Sequence, residues 1–149
     1  ELLLKPFPEL KKTIEISIID FIKGIFDAEG SISIKYQKNR VYPRIFLTNS
    51  NYDLIRYVKN LLEEINIKSN IQINTVAGKP KIIYNKDTIT RSTCYNLSIE
   101  NINGVKNFEK IINFTIYRKK KRLTNVINWI NKNGNYLPLQ KWEDLKLKL

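Results

Sequence analysis

Hydrophobic and polar positions recur with two different periods along this chain, and the changes of period mark out its elements. Ile18, Phe21, Ile22, Ile25 and Phe26 fall at three- and four-residue spacing, which predicts a helix over about residues 17–28. After Gly30 the period drops to two. Ile32, Ile34 and Tyr36 alternate with Ser31, Ser33, Lys35 and Gln37, as in a half-buried strand. Lys38-Asn39-Arg40 is the expected turn. A second strand then sets Val41, Ile45 and Leu47 on one face and Tyr42, Arg44, Phe46 and Thr48 on the other. Helical spacing returns in Leu54, Ile55, Val58, Leu61, Leu62 and Ile65, with Ser50 or Asn51 as N-cap of a helix over 52–65. Strands are expected at 71–76 and 93–99. Between them a polar hairpin region holds Ala77-Gly78-Lys79-Pro80 and Asn85-Lys86-Asp87, and its Ile82-Ile83-Tyr84 is a further pairing candidate. Helical patterns follow over 105–112 and 117–131. Asn133-Gly134-Asn135 breaks the chain before a short amphipathic tail helix over 139–147. Residues 1–16, broken by Pro6 and Pro8, give no clear pattern.

This order of elements predicts an α+β fold with one antiparallel sheet covered by helices on one face. At 149 residues the chain is expected to form one domain over 1–149, with 1–16 an N-terminal extension and 135–149 a C-terminal tail. No internal repeat is seen. The chain begins at Glu1 rather than methionine, as a trimmed chain would.

Charge narrows the partner. Lys and Arg number 26 against 14 acids, a net charge of +12, which suits a polyanion such as nucleic acid. A general Lys, Ile and Asn bias, of the kind an A/T-rich genome produces, weakens that argument without removing it. The absence of histidine excludes Ser-His-Asp hydrolases, nucleases with a histidine base and histidine zinc sites. The single Cys94 allows no intramolecular disulfide, as expected of an intracellular protein, organellar or prokaryotic. No membrane-spanning run or signal peptide is read, so no membrane partner is expected.

The segment from Phe21 to Gly30 carries the candidate chemistry. Gly24 inside a helix costs roughly 1 kcal/mol relative to alanine. Asp27 and Glu29 at a helix C-terminus face the negative end of the macrodipole, at about 0.3–1 kcal/mol each. Close helix packing at Gly24 and a cation at the carboxylates would offset these costs. The alternative is an ordinary amphipathic helix ending at a glycine cap.

Residues 22–30, Ile-Lys-Gly-Ile-Phe-Asp-Ala-Glu-Gly, resemble the nine-residue signature of the single-motif LAGLIDADG homing endonucleases. Gly24, Ile25, Phe26, Asp27, Ala28 and Gly30 fit it. Ile22 stands for leucine, Glu29 for the second aspartate, and Lys23 departs where the signature has a small residue. The predicted order αββαββα is also that family's order and spans most of the chain. The resemblance implies a homodimer packed through Gly24, Phe21 and Ile25, one carboxylate site per subunit, and a metal-dependent double-strand break leaving short 3′ overhangs in a long, pseudo-palindromic DNA. It implies that Glu29 holds Mg²⁺ with the Ala28 carbonyl, with Asp27 chiefly structural and a secondary ligand candidate. A lysine before the late helix would support the site, with Lys120 the first choice and Lys119 and Lys121 its alternatives. Asn49 would take the place of a polar residue that positions water, and Asp53 stands where a basic residue is expected.

Independently of the motif, Ser33, Lys35, Gln37, Tyr42, Arg44, Thr48, Gln72, Asn74, Asn96 and Ser98 read as outward sheet positions, Arg40 in the turn is a further DNA-contact candidate, and Lys119 and Lys121 belong to the basic run 118–122. Such side chains can address base edges and phosphates, and a two-stranded ribbon fits a major groove. A solvated sheet face is the plainer account. Intron RNA, bound by a maturase of the same fold, is an alternative partner, and a non-catalytic DNA-binding regulator is another. A restriction-type nuclease built on Asp144-Leu145-Lys146 has no supporting acidic strand.

Overall fold

The computed structural model of the chain describes residues 7–83, 86–139 and 141–142. Helix α1 covers Phe7–Glu29 and continues directly into strand β1, Gly30–Gln37. The helix therefore begins ten residues earlier than its apolar stripe suggests. Pro8 is no obstacle there, because it lies in the first turn, where backbone N–H groups have no intrahelical partner. Strand β2, Arg40–Asn49, returns after a two-residue turn in which Lys38 (φ 50°) and Asn39 (φ 59°) are both left-handed. Two positive φ values in a two-residue loop match the right-handed twist of the flanking strands, so register is fixed from Gln37↔Arg40 to Gly30↔Leu47. Arg40 thus starts the strand instead of ending the turn.

Helix α2, Tyr52–Glu64, starts where the Asn51 side chain accepts the Leu54 amide at 3.1 Å. Strand β3 covers Asn70–Thr75, β4 Pro80–Ile83, β5 Lys86–Ile89 and β6 Cys94–Ile99. Helices α3, Ile102–Ile111, and α4, Tyr117–Asn133, complete the chain. Helix α3 begins three residues before its apolar pattern because Asn101 caps it through the Asn103 amide. The main sheet has the order β1-β2-β6-β3, antiparallel throughout, while β4 and β5 form a separate ribbon. The expected α+β order αββαββα is observed, with that ribbon inserted ahead of the last strand.

One face of the sheet is the core. Ile32, Ile45, Leu47, Leu97 and Ile99 meet Ile22 and Phe26 of α1, Ile55, Val58 and Leu62 of α2, Val105 and Phe108 of α3, and Leu123 and Ile127 of α4. Each fully buried side chain of this kind stabilises the fold by about 1.5–3 kcal/mol. Phe26 packs edge-on to Phe108, and Phe108 packs against Phe114, with ring centroids 5.0 and 5.3 Å apart. This aromatic file fastens the end of α1 to the loop that leads into α4.

A second cluster joins Val41 and Leu137 with Ile34, Tyr36, Trp129 and Trp142. The chain after α4 runs along the free part of β2: Val41 N donates to the Asn135 carbonyl (2.7 Å), and Leu137 N to that of Asn39 (2.9 Å). Trp142 stacks on Tyr36 at 4.9 Å, and the Tyr36 hydroxyl donates to the Leu137 carbonyl. Leu139, Lys141 and Trp142 are helical; the rest of the expected tail helix lies outside the described residues. No helix among the described residues is long and apolar enough to cross a membrane.

Candidate active site

The C-terminus of α1 and the N-terminus of α4 meet and cap each other. Asp27 accepts the Thr115 amide (3.0 Å) and the Ile116 amide (3.4 Å), and the Thr115 hydroxyl donates to its Oδ2. Helix α4 has no side-chain cap of its own at Ile116, so Asp27 supplies the missing acceptor from another element. In return Lys119 Nζ donates to the Phe26 carbonyl (3.1 Å) and the Asp27 carbonyl (2.6 Å), two orphan acceptors of the last turn of α1. The Asp27 anion sits at the positive end of one macrodipole and the Lys119 cation at the negative end of the other. The apparent cost of an acid at the end of α1 is offset by its neighbour helix. Burial lowers the Lys119 pKa from the ordinary lysine value, the Asp27 charge opposes that shift, and Arg118 adds to it.

Gly30 turns the chain directly from α1 into β1. A Cβ there would lie 2.5 Å from the Phe26 carbonyl oxygen and 2.7 Å from the Phe26 ring, so only glycine fits. The turn leaves Glu29 exposed at the tip of α1, one residue beyond Ala28. Asn49, at the end of β2, donates its Nδ2 to Glu29 Oε2 at 2.6 Å and accepts the Asn51 amide at 2.8 Å. The arrangement is a solvent-facing carboxylate held in one orientation at a carbonyl-rich helix end.

The sheet face opposite the core lies beside this point. Across it the register sets Lys35 by Tyr42, Ser33 by Arg44, Thr48 by Asn96 and Asn96 by Gln72. Lys35, Gln37, Arg40, Gln72 and Asn74 are exposed, and Ser33, Tyr42, Arg44 and Thr48 are half-buried. Asn96 and Ser98 correct the expectation of outward contacts: both are buried, at 7% and 1% exposure, in the third strand of the sheet. Of the two Asn96 amide orientations, one satisfies every neighbour. In it Oδ1 accepts from Arg44 Nη2 at 2.7 Å, and Nδ2 donates to the Leu47 carbonyl and Thr48 Oγ1. Ser98 donates to Glu100 (3.3 Å).

Residues 17–113 match the family model of the LAGLIDADG-like domain. The chain belongs to the LAGLIDADG-like family. It is 30% identical over 125 residues to an uncharacterised protein of Methanocaldococcus jannaschii, covering 84% of this chain and 43% of that one. It is also 31% identical over 120 residues to a DNA polymerase of Thermococcus litoralis, covering 80% of this chain and 6% of that one. The chain thus spans less than half the length of these relatives. In fold it resembles an archaeal intron-encoded homing endonuclease complexed with DNA (TM-score 0.50, 20% identity, 80% of this chain and 72% of that one). A LAGLIDADG meganuclease bound to uncleaved DNA is similar to the same degree (TM-score 0.51, 16% identity, 76% and 37%).

On the LAGLIDADG helix, Gly24 is exposed, and a Cβ there would meet nothing within 4 Å. Phe21 is 43% exposed and packs edge-on to Tyr57, itself 54% exposed, while Ile25 is half-buried against the core. The structure brings Glu29, Ala28, Asp27, Asn49 and Lys119 together at the motif. It does not bring Lys120 there: Lys119 makes the contact with α1, and Lys120 is exposed. Lys121 lies over the Tyr117 ring at 5.8 Å. Asp53 lies exposed in the first turn of α2. The sequence pattern does not single out Thr115 or Glu100. A threonine two residues ahead of an uncapped helix was a usable signal for the first, whereas nothing local marks the second.

Proposed function

We propose that this chain is a site-specific, metal-dependent DNA endonuclease of the homing type, acting as a homodimer on a long, pseudo-palindromic duplex. One observation carries the reading: Glu29 is held by Asn49 at the exposed tip of the LAGLIDADG helix, next to a broad polar sheet face on a chain of net charge +12. The likeness in fold to a homing endonuclease and a meganuclease, each bound to DNA, supports it.

Phosphodiester hydrolysis needs an activated water and a neutralised leaving oxygen. Hard oxygen donors suit Mg²⁺, and here they would be the Glu29 carboxylate and the Ala28 carbonyl. No cluster of three His, Cys, Asp or Glu side chains that could hold a metal occurs among the described residues, so waters and DNA oxygens would have to complete the shell of such a cation. Such a cation supplies Lewis acidity and a lowered water pKa. The protein's own part is orientation. Asn49 fixes the carboxylate, Gly30 lets β1 leave the tip without covering it, and the mutual capping of Asp27 and Lys119 sets the height of the tip.

A double-strand break needs two such tips. Gly24 and the exposed part of Phe21, both on the outer stripe of α1, would pack against the same residues of a second copy about a two-fold axis. The Lys35, Gln37, Arg40, Tyr42, Thr48, Gln72 and Asn74 side chains would then face each half of the target, with Lys121 and the exposed Lys120 available to phosphates. A homing enzyme of this kind is carried in a mobile intron or similar element within a host gene, so the test is cleavage of the DNA formed by joining the flanks of that host gene at the insertion point. Cutting of both strands in Mg²⁺, and none in chelator, is expected; binding without cutting would favour the maturase or regulator.

A further inference from the structure

We propose that Arg44 is the guanine-reading residue of each half-site, held for that task by Phe46, Asn96 and Glu100. The inference rests on the reading of the chain as a duplex-DNA-binding protein and assigns one base contact within it. Arg44 projects from β2, an inner strand of the sheet, on the face opposite the core. Its guanidinium lies over the Phe46 ring at 5.2 Å. Nη2 donates to Asn96 Oδ1 at 2.7 Å. Nε stands 3.2 Å from a Glu100 carboxylate oxygen, as an ion pair whose N–H is not aligned for a hydrogen bond. The group borders a notch of about 180 Å³ lined by Lys35, Gln37, Tyr42, Pro43, Arg44 and Glu100.

Those contacts leave the two Nη1 protons and one Nη2 proton for a ligand. Arginine has no acceptor, so a base that engages two of these donors must present two acceptors on one edge. In the major groove guanine does so with O6 and N7. The alternative use of an arginine is a phosphate contact. Glu100 argues against it here, because the paired carboxylate cancels the charge that releases counterions and repels a nearby phosphate. Exposed Lys35 and Arg40 make no such pair among the described residues and are better placed for phosphates. A fixed, charge-neutralised fork adds little general affinity and much discrimination, since its rotamer freedom is already lost before DNA arrives.

The experiment is selection from a duplex library randomised across both half-sites, with wild type, Arg44→Lys and Glu100→Gln, followed by salt titration on the selected duplex. Lysine keeps the charge but not the fork. Wild type should require a G·C pair at one position in each half-site. Arg44→Lys should lose that preference by roughly ten- to a hundredfold at that position alone. Its salt dependence should be unchanged, because no phosphate contact is removed. Glu100→Gln, which loosens the buttress, should weaken the same position. An Arg44→Lys profile identical to wild type would overturn the assignment, as would loss with Glu100→Gln but not with Arg44→Lys. Failure of wild type to select any duplex would overturn the DNA-binding reading together with it.

Discussion

The amide of Asn49 donates to the Glu29 carboxylate at 2.6 Å, joining the end of β2 to the tip of α1. Asn49 is itself fixed, since its oxygen accepts the Asn51 amide at the start of α2. Three elements therefore determine where one exposed carboxylate points, although the two residues lie far apart in sequence.

Asn49→Ala should leave Glu29 in place but free to change rotamer. The expected result is a loss of about 10- to 100-fold in cleavage rate, as for other groups that orient a metal ligand. DNA affinity should be unchanged. Single-turnover rates and gel-shift titrations on one duplex would check this, and an unaltered rate would show that Asn49 does not orient the carboxylate.

Asp27→Ala removes the side-chain acceptor that caps the start of α4. A stability loss of about 1–2 kcal/mol is expected, the scale of a lost N-cap. Denaturant titration measures it, and a change within 0.5 kcal/mol (roughly the spread of ordinary surface substitutions) would contradict the capping role.

The two motif glycines should respond oppositely to alanine. Gly24→Ala meets open space and relieves a helix-interior glycine, so the isolated subunit should gain about 0.5–1 kcal/mol while self-association weakens. Gly30→Ala forces a Cβ against the Phe26 carbonyl and should lose about 1–3 kcal/mol. Thermal unfolding with sedimentation separates the two. Unweakened association of Gly24→Ala would place the dimer interface elsewhere.

Lys119 gives a pH dependence with a definite sign. Its folded pKa is lowered by burial, against the charge of Asp27 and with that of Arg118, from the free value of 10.5. Between the lowered value and 10.5 the unfolded chain binds the extra proton, so this group makes stability rise with pH across that window. Lys119→Met should remove the rise. Denaturant midpoints measured from neutral pH to the free lysine value would show it as the difference between the two proteins, and coincident curves would count against it.

The fold was largely legible because burial on one sheet face enforces strict alternation. Val41, Ile45 and Leu47 face the core as their spacing requires, and Asn51 caps as its type predicts. The start of α1 was hidden because Pro8 reads as a breaker unless it is known to occupy a first turn. At the site, Asp27, Glu29 and Asn49 were named from the sequence, and their grouping is observed. Lys119 could not be separated from Lys120, since a helix rotates neighbouring residues by about 100° and only the docking of α4 decides which one meets α1. Asn96 and Ser98 alternate as outward residues do, yet sit buried in an inner strand. Period-two patterning distinguishes faces, not depth. Glu100 is marked by its contact with Arg44, a pairing that no sequence period records.

Double-strand cleavage of the joined-flank duplex by wild type and Glu29→Gln, each with and without Mg²⁺, tests whether Glu29 is the carboxylate that carries the reaction. Glutamine matches the shape of Glu29 and removes its charge at an exposed site, so fold and DNA binding should be retained. Wild type should cut both strands only with the metal, and Glu29→Gln should lose about 10³-fold or more in rate, comparable to removing a principal charge-stabilising group. Cleavage by Glu29→Gln at the wild-type rate would contradict the account.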